Sequence, residues 1–151
     1  MDEPLTIPGV RVSRINSMQI LRQIVQMTGP QSELVIFSYS VTDGWLRQLQ
    51  KLKQEYQVQN IILVLDKAVM VRQREKLIQI QHVANAAYLT DSHAKLYFSR
   101  GKNKTIAIIT SSNATNNYRN ECYYATDRTA ELEQIGRDIR TILGASDRIA
   151  G

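Results

Sequence analysis

Two short polar clusters in this chain carry residue types that could act on a phosphodiester. The first is His93-Ala94-Lys95, and the second is Ser111-Ser112-Asn113. Each cluster adjoins a run that predicts a β-strand, so side-chain alternation would place His93 and Lys95 on one face and turn Ala94 away. An imidazole, an ammonium, a hydroxyl and a carboxamide at one spot could attack phosphorus and donate to its oxygens. This set contains no cluster of metal ligands, so the sequence predicts neither a metal nor another cofactor.

Helix and strand patterns alternate along the chain and predict how these clusters are positioned. The run IILVL is the most apolar stretch, as expected for a central strand that is covered on both faces. The remaining elements follow from apolar spacing and from capping residues. In chain order we expect a helix from a Ser17 cap to Gly29, a strand over 33–39, a helix over 42–55 capped by Thr42 or Asp43, a strand over 61–65, a helix over 69–81, strands over 84–89, 94–98, 105–109 and 122–125, and a final helix ending at Gly144.

The segment Gly101-Lys102-Asn103-Lys104 has the composition of a hairpin turn between two of these strands. The two polar clusters should therefore meet across an antiparallel pair. Together the elements predict an α/β fold, with a mixed β-sheet flanked by helices on both faces. The length of 151 residues fits one domain covering 1–151.

Positive charge is concentrated near the two clusters in the sequence. The net charge is +5, and Arg100, Lys102 and Lys104 follow the first cluster, while Arg119 follows the second. Positive potential attracts phosphates, so these residues are candidate contacts for nucleic acid. Tyr118, in the asparagine-rich loop, is the best candidate among the aromatic residues for contact with a substrate.

Other features limit the class of protein. No window approaches the roughly 18 consecutive apolar residues of a spanning helix, and the N-terminus does not resemble a secretory signal, so we expect a cytoplasmic protein without membrane association. Four aromatic residues, Trp45, Tyr39, Tyr88 and Tyr97, sit in apolar patterns and are predicted to be core. The single cysteine, Cys122, lies in a predicted strand and is expected to pack as a small side chain.

The order of these motifs resembles the phospholipase D superfamily, whose signature is H-x-K-x4-D followed by G-S-x-N. The matching residues are His93-x-Lys95 and Ser111-x-Asn113, and the surrounding segments ELVIFSYSVTDGWLRQLQKL, IILVLDKA, DSHAKLYF and IITSSNATNNYRNECYYA extend the resemblance over nearly the whole chain. It is closest to small bacterial members that carry one motif and are mostly endonucleases. Two positions depart from the pattern, because Arg100 replaces the motif aspartate and Thr110 replaces the glycine.

The resemblance implies a role for each site residue. His93 would be the nucleophile, Lys95 and Asn113 would bind the phosphate, Ser111 would be a supporting donor, and Glu121 would orient the histidine. Hydrolysis through a phosphohistidine needs a second acid, and this chain offers one histidine in the right setting. We therefore expect a homodimer whose active site is shared across a two-fold axis.

The sequence predicts a metal-independent phosphodiesterase, with nucleic acid as its substrate. A phospholipid is disfavoured as substrate because nothing indicates an interfacial apolar surface. DNA, RNA and a small phosphodiester remain open. One alternative is a phospholipase D-like module that binds nucleic acid with weak or no turnover, and another is a scaffold for protein partners.

Overall fold

The computed structural model describes residues 3–150, which form one eight-stranded sheet and five helices. The strands are β1 (Gly9–Ile15), β2 (Glu33–Ser38), β3 (Asn60–Asp66), β4 (Ala86–Thr90), β5 (Leu96–Arg100), β6 (Thr105–Thr110), β7 (Arg119–Thr126) and β8 (Asp147–Ala150). The helices are α1 (Ser17–Thr28), α2 (Asp43–Glu55), α3 (Lys67–Arg72), α4 (Lys76–Val83) and α5 (Thr129–Gly144).

The sheet is mixed, with strand order β1-β7-β6-β5-β2-β3-β4-β8. Strands β2, β3 and β4 are parallel, and the other neighbouring pairs are antiparallel. The hairpin predicted between the two polar clusters is confirmed as β5–β6, with Leu96 opposite Ile109. The strands β1 and β8, which the sequence did not predict, form the two edges of the sheet.

Helices cover both faces of the sheet, which confirms the predicted fold class. Alternation in β2 shows the two layers: Leu34 and Ile36 belong to the larger core with α1, α2 and α4, while Phe37 belongs to a smaller core beneath α5. We call the surface of the sheet that packs against α5 the α5 face. Glu131 anchors the first turn of α5, because its carboxylate accepts hydrogen bonds from the hydroxyls of Thr126 and Tyr124. These bonds lower the pKa of Glu131.

The start of α1 differs from the prediction by one residue. Asn16 is the cap, since its Oδ1 accepts hydrogen bonds from the backbone N–H groups of Met18 and Gln19. Ser17 is buried and does other work: its hydroxyl donates to the Thr115 carbonyl and accepts from the Trp45 indole N–H. The predicted cap of α2 is confirmed as Thr42, whose side chain accepts from the Trp45 backbone N–H.

The single helix predicted over 69–81 is wrong, because this segment contains both α3 and α4. Asp66 starts α3 before the predicted position by accepting from the backbone N–H groups of Ala68 and Val69. Helix α3 ends at Arg72, and α4 begins at Lys76. The segment is charged and only weakly amphipathic, so its periodicity could not reveal the break. Among the described residues, no helix is long and apolar enough to cross a membrane.

Candidate active site

The carboxyl ends of the parallel strands define the edge where the two polar clusters meet. Strand β5 begins at this edge and β6 ends there, because β5 is antiparallel to β2 and β6 is antiparallel to β5. The backbone N–H of Thr110 donates to the Lys95 carbonyl over 3.0 Å and joins the two clusters. Ligand sites of open α/β sheets are found at this type of edge. We call it the catalytic edge.

His93, Ala94 and Lys95 lie in the loop between β4 and β5, so the prediction that strand alternation places His93 and Lys95 on one face is wrong. The His93 side chain is exposed, and Ala94 is exposed as well rather than turned into the core. The loop is held from β3, because Asp66 Oδ2 accepts from the Ser92 backbone N–H over 3.2 Å. The imidazole stacks on Tyr39, with ring centroids 4.5 Å apart and planes inclined by 27°. These contacts fix the histidine in an orientation open to solvent.

Lys95 is half-buried beside the histidine. Its Nζ donates to the His93 carbonyl over 3.3 Å. This bond places the Lys95 ammonium next to His93. A phosphate bound at the imidazole would therefore have a positive charge within reach.

Asn113 reaches the same place from the other cluster. Its Oδ1 accepts from the Tyr39 backbone N–H over 3.2 Å and lies 3.4 Å from Ser38 Oγ, which donates its proton to the Ser40 carbonyl over 2.5 Å. Ser38 Oγ in turn accepts from the Ala114 backbone N–H over 2.9 Å. Since the oxygen of the carboxamide is held by β2, the Nδ2 group is left to donate to a ligand. Tyr39 thus contacts both His93, through its ring, and Asn113, through its backbone.

Ser111 and Glu121 form a pair on the neighbouring strands. Ser111 Oγ donates to Glu121 Oε1 over 2.9 Å and accepts from the Cys122 backbone N–H over 3.0 Å. Within residues 3–150, no hydrogen bond joins Glu121 to His93. The orienting role that the resemblance implies for Glu121 stays a prediction, and its observed contact is with the serine.

Three residues of the site were missed by sequence reasoning. Tyr39 was predicted to be core but is half-buried and stacks on the imidazole. Ser38 holds the loop of Asn113 by accepting from the Ala114 N–H, and Asp66 holds the loop of His93. The available signal was their position, since each is the last residue of a parallel strand or follows it directly. A position at the end of a parallel strand predicts the edge at which a residue lies, but it does not predict which loops will contact that residue.

The predicted basic contacts divide between the two ends of the sheet. Tyr118 is exposed and Arg119 begins β7, which places both at the catalytic edge. Arg100 ends β5, and Lys102 and Lys104 lie in the turn that follows. Because β5 advances about 3.3 Å per residue, this turn is roughly 16 Å from Lys95, at the opposite edge. The prediction that Arg100, Lys102 and Lys104 lie beside His93 is therefore wrong.

Thr110, at the glycine position of the family pattern, contributes to the turn through its hydroxyl. Its Oγ1 donates to the Cys122 carbonyl over 2.9 Å and accepts from the Ser112 backbone N–H over 3.1 Å. The side chain therefore satisfies one backbone group directly before Asn113 and one on strand β7. Threonine is accordingly compatible with the geometry of this turn. In the described part of the chain, no three His, Cys, Asp or Glu side chains are grouped so as to hold a metal ion.

Comparison with solved structures identifies the fold. Nuc, a phospholipase D family member from Salmonella typhimurium, is 13% identical and has a TM-score of 0.64, with 95% of this chain and 99% of that chain covered. NucT from Helicobacter pylori is also 13% identical, with a TM-score of 0.61 and coverage of 93% and 100%. The chain therefore has the phospholipase D fold, as the motifs predicted. Sequence comparison finds no matching family model and no matching curated protein.

The same fold occurs in a protein of another kind. TrmBL2, an archaeal chromatin protein described with a novel mode of DNA binding, is 13% identical and has a TM-score of 0.57. The match covers 93% of this chain and 54% of TrmBL2. A fold alone does not define an activity, so the function has to be argued from the site.

Proposed function

We propose that this protein is a metal-independent phosphodiesterase that cleaves nucleic acid through a covalent phosphohistidine on His93. The observation that carries the proposal is the double contact of Tyr39, which stacks on the His93 ring and binds the Asn113 carboxamide. Through Tyr39 a nucleophile and a phosphate donor, contributed by different loops, are held at one point. Lys95 supplies the positive charge there.

In the first step, a ring nitrogen of His93 attacks phosphorus and the bond to the leaving oxygen breaks. Lys95 Nζ and Asn113 Nδ2 donate to the nonbridging oxygens, where negative charge accumulates in the transition state. A second imidazolium protonates the leaving oxygen. In the second step, that imidazole takes a proton from water, the water oxygen attacks phosphorus, and the phosphorus–nitrogen bond breaks.

The second imidazole comes from another copy of the chain, so the active unit is a homodimer. A candidate interface is an uncovered apolar area of the α5 face, which we call the valine patch: Val10, Val12, Ile109 and Cys122. Val12 pairs with Cys122, while Val10 and Ile109 both pair with Tyr124, so the four side chains share one face. Val12 is 73% exposed and Val10 is 64% exposed. Exposed apolar groups at this density favour contact with another protein surface.

The position of the valine patch fits a shared site. Ile109 lies two residues before Ser111, and Cys122 directly follows Glu121, so the patch adjoins the catalytic edge. A second copy docked on it by a two-fold operation would bring two catalytic edges together. Cys122, which was expected to be packed, is exposed in this area.

Nucleic acid is the proposed substrate because of charge and of exposed groups at the catalytic edge. The net charge is +5, and Arg119 and the exposed Tyr118 lie at the same edge of the sheet as the site. A cation and an aromatic ring can bind the phosphate and the base of a single strand.

A decisive experiment is to trap the covalent intermediate. The protein would be mixed with end-labelled single-stranded DNA in EDTA and quenched in base, in which phosphohistidine survives. We expect label on the peptide that contains His93, and no label on the His93→Ala variant. Failure to find this adduct with both DNA and RNA substrates, in a preparation that binds them, would overturn the proposal.

A module that binds nucleic acid without cleaving it is the second candidate. It is favoured by Glu121, whose observed partner is Ser111 rather than His93. The likeness to TrmBL2, the archaeal chromatin protein, fits this candidate as well. Binding that survives while the adduct is missing would select the module over the enzyme.

Replacing Asn113 with aspartate should separate its structural contacts from its phosphate contact. A carboxylate oxygen at this position can still accept from the Tyr39 N–H, but the amide donor to phosphate is replaced by a second, repelling oxygen. For Asn113→Asp we expect cleavage to fall by at least about 100-fold, with little change in melting temperature. The matched control is Asn117→Asp in the same loop, whose side chain is exposed. Equal loss in both variants would remove Asn113 from the mechanism.

A further inference from the structure

An open groove of about 540 Å³ lies beneath α5, at the edge of the sheet opposite His93. Its walls are the end of β5, the start of β6 and one side of α5. Arg100 and Lys104 line it from the sheet, and Arg137 and Arg140 line it from the helix. Arg100 is the residue that replaces the motif aspartate, so the position that departs from the family pattern carries a positive charge into this groove.

Positive charge exceeds negative charge in the groove. The two carboxylates among its lining residues are Asp127 and Glu133. Asp127 is occupied by Lys104, whose Nζ lies 3.3 Å from its Oδ2. Arg100 lies over the Phe98 ring at 6.0 Å, a contact that leaves its N–H donors available. The groove therefore has three guanidinium groups and one carboxylate, that of Glu133, which is not paired with Lys104.

Gly136 opens the helix side of the groove. A glycine inside a helix is less favourable than an alanine at the same position. A Cβ placed on Gly136 would have one neighbour within 4 Å, Arg140 Nη1 at 3.7 Å, so packing within the chain does not require glycine. Arg140 lies one helical turn after Gly136, so the missing side chain leaves open space beside its guanidinium group.

We propose that this groove is a second phosphate-binding site, which holds the nucleic-acid backbone without cleaving it. The groove has guanidinium groups on both walls, the geometry preferred for phosphate oxygens. It lies roughly 16 Å from Lys95 by the length of β5, so one strand could contact both edges. No histidine is among its lining residues, and bound phosphates would therefore not be attacked. The inference extends the proposed function, since it takes nucleic acid as the ligand.

The test measures how binding depends on salt, in a His93→Ala background that prevents cleavage. Labelled single-stranded DNA would be titrated at several salt concentrations with the double variant Arg137→Gln/Arg140→Gln. The control is Lys51→Gln/Arg72→Gln, which removes two exposed cations from α2 and α3. For two lost phosphate contacts we expect the slope of log K against log salt to fall by about 1.4 relative to the control. Equal slopes in the two double variants would overturn the proposal.

A second pair of variants changes the groove without removing a cation. Gly136→Glu places a carboxylate one helical turn before Arg140, while Gly136→Ala adds one methyl group. We expect the glutamate variant to weaken DNA binding about tenfold, and the alanine variant to bind as before with a higher melting temperature. Unchanged DNA binding in both variants would contradict the proposal.

A small anion provides the last arm of the test. Pyrophosphate should shift the backbone amide resonances of Gly136 and Arg137 and should compete with DNA. Pyrophosphate binding with an unchanged DNA slope would indicate a site for small phosphates and would overturn the nucleic-acid assignment. Trapping on His93 is independent of all these results, so the two proposals can fail separately.

Discussion

Substitution of His93 by alanine is expected to lower nucleic-acid cleavage by roughly 10⁴- to 10⁶-fold, the loss that follows removal of a covalent nucleophile. In the proposed mechanism, the His93 imidazole supplies the nitrogen that attacks phosphorus. Its side chain is exposed and stacks on Tyr39 alone among the aromatic groups described, so its loss should leave the fold intact. The measurement is the initial rate with plasmid and single-stranded DNA in EDTA.

The control for this prediction is the other histidine of the chain. His82 is exposed on α4, on the opposite face of the sheet from α5. We expect His82→Ala to cleave at the wild-type rate. If His93→Ala retained more than a tenth of the wild-type rate, His93 could not be the nucleophile, and residual cleavage that requires a divalent metal would indicate a different mechanism.

Substitution of Val12 by glutamate is expected to convert the dimer into monomers and to abolish cleavage with it. Val12 is 73% exposed and contributes to the valine patch from the edge strand β1. In a two-fold interface each substitution occurs twice, so two carboxylates would be buried against apolar groups or against each other, at a cost of several kcal/mol. Sedimentation velocity would give the oligomeric state, and the cleavage assay would give the activity of the same samples.

A matched variant on another surface separates loss of the dimer from added negative charge. Ile78 is 67% exposed on α4, far from the valine patch along the sheet order. Ile78→Glu should stay dimeric and active. A Val12→Glu monomer with full phosphodiesterase activity would refute the shared site, as would a wild-type protein that sediments as a monomer while it cleaves.

Local patterns were sufficient for much of the fold. The apolar runs of β2 and β3 predicted buried strands because strands covered on both faces lack polar positions. The turn composition of residues 101–104 predicted the β5–β6 hairpin, which alone brings the two polar clusters together. Strand β1 was missed although Val10-Arg11-Val12-Ser13 alternates apolar and polar residues as a strand does, and its two valines are exposed rather than core.

The sequence by itself determined the chemical identity of the catalytic edge. The residue types of His93, Lys95 and Asn113, and a hairpin that aligns them, are local properties of the chain. The stack of Tyr39 on His93 and the bond from its backbone to Asn113 were decided only by the tertiary structure, because they join loops that are distant in sequence.

The tertiary structure also decided where the charges lie. Arg100 is five residues from Lys95, and in sequence the two belong to one basic cluster. An extended strand separates its ends by about 3.3 Å for each residue, so β5 carries Arg100 to the other edge and into the groove beneath α5. Lys95 and Arg100, which are close in sequence, therefore lie at different sites because strand β5 runs between them.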